Sequence, residues 1–253
     1  SAGARDGWAY VWPRDAAAAA LALSVAGDRP QARRVARFLL RLPLGAAARF
    51  SGDGAPPPGR AAEGDAWGWA AAAAHATGLP PPRGRPAWKD RADYQEKSPG
   101  DYLANAIASG AGPVVGAGLS RLSRRLGDPG SGLDSAAAWA VRPFPRPSLY
   151  PSIRSALNRL TAHRGRFGIV PSQDWPDSDP WTAPTAWSAW SLAALGERGR
   201  ALTLLADLHR AATPTGLLPE RVGARGGLPT STTPLTWSHA FAILAIRQLW
   251  PAR

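Results

Sequence analysis

Glycine and proline punctuate this chain so densely that no helix can run far before it is stopped. The 253 residues include 27 Gly and 26 Pro, and alanine fills most of the space between them. Proline removes a backbone donor and glycine loosens the helical backbone, so each tends to mark an end. Bulky β-branched residues are scarce. No stretch alternates apolar and polar residues over several strands in a row, which argues against a sheet. The pattern is that of short helices packed closely on small side chains.

About ten such helices are expected. Asp15, with Pro13 just upstream and Gly27 as the stop, is expected to start one over 16–25. Pro30 begins a second to about Leu42. It carries Val35, Phe38 and Leu39 on one face and Arg33, Arg34, Arg37 and Arg41 on a solvated one. Asp65 leads a third over 67–77, ending at Gly78. Others are expected at about 100–109, 113–126, 133–140, 150–162, 183–195, 198–211 and 236–249. Long connections at 43–63, 79–98, 164–182 and 213–235 carry most of the aromatic and acidic residues. Successive antiparallel helices put every second connection at the same end, so these loops are expected to gather at one mouth of a closed helical ring. No fixed period marks a solenoid. No break in composition marks a boundary, so one domain over 1–253 is expected.

Composition narrows the function. The net charge is +12 and the isoelectric point about 11.4. Only Lys89 and Lys97 are lysines, and the arginines are spread along the chain, so no nucleic-acid partner is expected. Without cysteine there is no disulfide and no thiolate ligand. The four histidines lack metal-ligand spacing, and neither a metal nor a cofactor is expected. No uncharged apolar run is long enough to span a membrane. The chain opens at Ser1 and contains no methionine, so the natural N-terminus is expected upstream. Compartment and oligomeric state are left open.

Two carboxylates stand out. Glu220 follows a rigid Leu218-Pro219 step and precedes a wide Gly/Pro-rich loop and the helix start at Thr236-Trp237-Ser238-His239. Glu96 lies in the aromatic loop ahead of Ser98-Pro99. Two carboxyls facing one cleft suit glycoside hydrolysis, one donating a proton to the leaving oxygen and the other taking one from water. Twelve Trp against five Phe is an unusual balance, and an indole in a loop suits either a pyranose face or plain packing. The loop residues Trp8, Trp12, Trp88, Trp175 and Trp181 are the candidates. Trp69, Trp139, Trp190 and Trp250 are expected in the core.

Four stretches resemble glycoside hydrolase family 15, the inverting glucoamylase and glucodextranase group. Trp8-Ala9-Tyr10-Val11-Trp12-Pro13-Arg14-Asp15-Ala16 is similar to its Trp-x-Arg-Asp segment. Asp93-Tyr94-Gln95-Glu96 resembles its acid segment. The run from Arg166-Phe167 to Pro180-Trp181 resembles its Arg-Tyr-x-x-Asp to Pro-Trp segment. Leu218-Pro219-Glu220 and Leu235-Thr236-Trp237-Ser238-His239-Ala240 resemble its base segment and last helix.

The resemblance implies an all-α (α/α)6 barrel and a carbohydrate substrate. It implies Glu96 as general acid and Glu220 as general base. Arg14 and Asp15 would grip hydroxyls of the terminal glucose and Arg166 a ring hydroxyl, with Trp12 and Trp181 walling the pocket. The implied activity is inverting release of terminal α-linked glucose. The alternatives are an α,α-trehalase of the same family and a non-catalytic carbohydrate binder. Three residues depart from the family pattern: Gln95 stands where it has Trp, Phe167 where it has Tyr, and Arg221 where it often has Gln. The family's first barrel helix and its β-sandwich domain are not among these residues, so the barrel is expected to be short at its N-terminal end.

Overall fold

Pro13 sets the start of the first helix, α1 (Pro13–Ala26), with Trp12 extended just before it and Gly27 closing it in the left-handed conformation at φ 97°. Proline suits the first helical position because its missing N–H has no partner there anyway. The helix therefore begins three residues earlier than Ala16. Asp15 lies inside the first turn, where its charge faces the positive helix end, and does not act as the cap.

The computed structural model describes residues 9–84, 87–110 and 133–251. Two compact units, Ser1–Val115 and Gly116–Arg253, divide the chain. The helix expected at 113–126 and the indole of Trp8 lie outside the described residues.

In the N-terminal unit, α1 packs against α2 (Arg29–Leu39) and α3 (Ala66–Ala76). Asp28 caps α2 by accepting from the Gln31 amide at 3.3 Å. Arg29, Arg33, Arg34, Arg37 and Arg41 are exposed, in keeping with a solvated face. Alanines do the packing: Ala17, Ala18, Ala20, Ala70, Ala73 and Ala74 are all fully buried. The short helix α4 (Leu103–Ser109) comes so close to α3 that a Cβ on Gly68 would lie 2.0 Å from the Ala108 carbonyl oxygen.

The C-terminal unit is built round one helix. After 3-10 turns at Ser135–Ala140 and Pro147–Leu149 come α5 (Tyr150–Ala162), α6 (Thr182–Ala194), α7 (Arg198–Ala211) and α8 (Thr236–Leu249). The segment expected to be α-helical at 133–140 is thus the tighter 3-10 form. Every residue of α6 from Thr182 to Leu192 is buried, as befits a helix covered on all sides. Its Trp187 stands edge-on to Trp139, Trp237 and Phe241, with centroids 5.3, 5.5 and 5.5 Å away. The Trp187 indole N–H donates to the Ser135 carbonyl at 3.0 Å, so the buried polar atom is satisfied.

Trp69, Trp139 and Trp190 are core residues as expected. Trp250 is not: it sits just past the end of α8 and is 47% exposed, under the Arg198 guanidinium at 4.9 Å. Among the described residues extended pairing is confined to isolated bridges.

Two glycines test this packing. Gly68→Ala is expected to cost about 1–3 kcal/mol, because backbone must move to admit the methyl group. Gly199→Ala, in α7 with open space around it, is expected to be neutral or to stabilise by up to about 1 kcal/mol. Thermal melts of the two variants check both outcomes.

Candidate active site

Each unit carries part of the residue set singled out above. In the N-terminal unit the first turn of α1 turns Arg14 inward. Its guanidinium is 3% exposed, with Nη1 at 2.5 Å from Glu63 Oε2 and 3.0 Å from Asp65 Oδ2, and Nη2 at 3.7 Å from Asp15. Burial opposes the Arg14 charge, but the three carboxylates outweigh it and hold the group protonated. Glu63 feels the converse. Burial pushes its carboxyl upward, Arg14 pulls it back, and Asp65 and Asp15 push it up again. Burial, helped by the two neighbouring acids, outweighs the pull of Arg14, so the net direction for Glu63 is upward.

Asp15 keeps 19% of its side chain exposed, so Arg14 is the buried anchor and Asp15 the group with access to solvent. Gly64, between the two anchoring acids, is required: a Cβ there would lie 2.6 Å from the Asn105 side chain and 2.7 Å from the Trp88 carbonyl.

Trp12 is 8% exposed, and two guanidinium groups lie near its ring, Arg49 at 5.5 Å and Arg60 at 5.6 Å. Arg60 also pairs with Glu96. The loop holding Glu96 is wound on Asp93, whose buried carboxylate accepts from the amides of Gln95 at 3.0 Å and Lys97 at 3.2 Å. Burial pushes the Asp93 carboxyl above its ordinary value, against the pull of Lys97. The tight winding places Glu96 at φ 57°, the left-handed region that a side chain enters only at a cost.

In the C-terminal unit, Glu220 is fixed along its backbone. Its N–H donates to Thr232 at 2.9 Å, and its carbonyl accepts from the Thr182 amide at 3.0 Å, at the first turn of α6. Its Oε2 accepts from the Ser231 hydroxyl. Trp181 is 5% exposed, bridges to Arg221, and meets Trp175 edge-on at 4.8 Å. Arg221 reaches Asp177 at 3.6 Å and lies 6.0 Å from the Trp175 ring. Arg166 is exposed, with its guanidinium 5.5 Å from the Phe167 ring. Behind Glu220, the Leu218 amide donates to His239 Nε2 at 2.9 Å.

Sequence reasoning did not single out Glu63, Asp65, Asp179, Ser231 or His239 as site residues. Only the first two left a usable signal: two acids flanking a glycine ahead of an alanine helix are more than a cap needs.

A wild-type glycosidase is 20% identical, with a TM-score of 0.72 over 95% of this chain and 88% of that one. A bacterial glucoamylase complexed with acarbose is 15% identical, at TM-score 0.73, covering 95% of this chain and 49% of that one. The chain has the glucoamylase fold. The expected all-α architecture of (α/α)6 type is met by this likeness. The glucoamylase from Saccharomycopsis fibuligera is 13% identical, at TM-score 0.65, covering 96% and 86%. No family model matches the chain, and no curated protein does.

His239 supplies a pH test. It must be neutral to accept from Leu218, and burial lowers its pKa below the ordinary 6.5. The unfolded chain then takes up a proton first as pH falls, so folding stability drops as pH falls from about 6.5 through the lowered value. Melting temperature measured from roughly pH 8 to 5 should fall more steeply for the wild type than for His239→Gln, whose amide oxygen can still accept.

Proposed function

We propose that this chain is a glycoside hydrolase that releases terminal α-linked glucose with inversion, using Glu96 as general acid and Glu220 as general base. The observation that carries the reading is the setting of Glu220 within a fold shared with glucoamylases. Both of its backbone polar groups are tied down and a hydroxyl is donated to its carboxylate. A hydroxyl donor favours the ionised carboxylate, the form a base needs.

In this reading Glu220 takes a proton from water as the water oxygen bonds to the anomeric carbon. The glycosidic bond breaks from the opposite face, and Glu96 gives its proton to the departing oxygen. The two carboxyls of such a pair stand about 6.5–9.5 Å apart, leaving room for water. Asp15 accepts from sugar hydroxyls, held in place by Arg14, while Arg166 donates to a ring hydroxyl and Trp12 and Trp181 supply apolar walls. Hydrolysis of α,α-trehalose would use the same groups.

A second reading has one observation behind it. Arg60 holds Glu96, and a guanidinium favours the charged form of a carboxylate, which is the wrong form for an acid. A carbohydrate binder without turnover would tolerate that pairing.

The test is to incubate the protein with maltose, isomaltose, dextrin and trehalose and follow the first anomer formed by NMR. β-Glucose is expected, and initial α-glucose would rule out inversion. Glu220→Gln and Glu96→Gln are each expected to lower turnover by about 10²-fold or more while sugar binding persists. A pure binder shows no turnover in the wild type and little change in either variant.

A further inference from the structure

We propose that Asp179 is a positioning residue for Glu220, acting through the return limb of the hairpin on which Glu220 stands; the inference rests on the reading of Glu220 as the base. Residues 220–232 double back on themselves. The Glu220 amide donates to Thr232, Thr230 to Arg221 at 3.0 Å, and Gly223 to Leu228 at 2.9 Å, with a bridge between Val222 and Pro229. Ser231, which donates to the Glu220 carboxylate, is on the return limb. Gly227 closes the tip by donating its amide to the Gly223 carbonyl at 2.8 Å, and Arg225, Gly226 and Leu228 there are exposed.

Asp179 bonds to both limbs from outside the hairpin. Its Oδ1 accepts from the Ala224 amide at 3.1 Å on the outgoing limb, and its Oδ2 accepts from the Thr230 hydroxyl at 3.0 Å on the return limb. The neighbouring Pro180 carbonyl accepts from the Val222 amide at 3.2 Å. Asp179 is itself held: its amide donates to Asp177 Oδ1 at 3.3 Å, and the proline after it confines its backbone to extended conformations. One carboxylate thus grips both limbs, and the Thr230 it holds is the direct neighbour of Ser231. Only a side chain with two polar atoms on one planar group can do this at that reach. Loss of the grip lets the return limb shift, and with it the hydroxyl that orients Glu220. A shift of about 1 Å at a catalytic group can cost up to about 10²-fold in rate.

The experiment measures kcat and KM on whichever α-glucoside the wild type cleaves, for Asp179→Ala, Asp179→Asn, Thr230→Val, Ser231→Ala and the double variant Asp179→Ala/Ser231→Ala. Melting temperatures are recorded alongside, and assays are run well below them. Asp179→Ala is expected to lower kcat about tenfold with KM within about twofold. Asp179→Asn is expected to restore most of the rate, because its amide can accept from Ala224 and donate to Thr230. In the Ser231→Ala background, removing Asp179 is expected to cost less than about twofold more, since the two act in series.

The proposal is overturned if kcat is unchanged in Asp179→Ala, if its effect multiplies in full with that of Ser231→Ala, or if only the melting temperature falls. Should Asp179→Ala not fold, Thr230→Val removes one arm of the grip at nearly constant volume and must lower kcat several-fold for the proposal to stand. Glu220→Gln, assayed in parallel, separates the two levels. If it keeps turnover, or if the wild type cleaves none of the substrates, the base assignment fails and this inference with it. If it abolishes turnover while Asp179→Ala does nothing, only the positioning role fails.

Discussion

Thr182 is the residue on which the C-terminal unit turns. Its amide donates to the Glu220 carbonyl, and its hydroxyl bonds to the Pro219 carbonyl and to Ser238 at 2.7 Å. The first amides of a helix have no partner within it. Here one of them is satisfied by the segment that carries the candidate base. Because α6 is buried on every side, that terminus cannot wander. The rigidity of the aromatic cluster around Trp187 is thereby passed to Glu220 by hydrogen bonds that the helix needs in any case.

The N-terminal unit meets a different demand. Arg14 is too deep to exist as a lone charge, and the cost of burying it is met by Glu63 and Asp65. Buried ion pairs add little net stability compared with a well-packed apolar core, whereas loss of one partner strands the other. What such a cluster supplies is a fixed place for the turn it belongs to. Asp15, the next residue, is thereby held while retaining contact with solvent.

Much of the helical pattern was legible beforehand. Helices at 198–211 and 236–249 stand at the expected boundaries, because proline, glycine and loop residues bracket clear apolar periods. The first helix was misjudged at its start, since Pro13 can serve as the first helical residue as well as mark a break. Trp250 was misassigned because periodicity carries a residue's face only while the helix continues. The candidate site residues were named from a family resemblance in residue type and order. Their holders could not be named so, as the hydroxyl of Ser231 and the imidazole of His239 take meaning only from what they touch.

What the sequence determined by itself was local: where helices start and stop, that alanine must pack them closely, and which acids and indoles lie in loops. These follow from backbone sterics and side-chain volume, which act over a few residues. Tertiary structure alone decided that Arg14 is an anchor sunk among Glu63 and Asp65, that Arg60 pairs with Glu96, and that Asp179 reaches across to a hairpin some forty residues away. Those outcomes depend on desolvation and on hydrogen bonds between distant segments, and neither exists until the chain has brought the segments together.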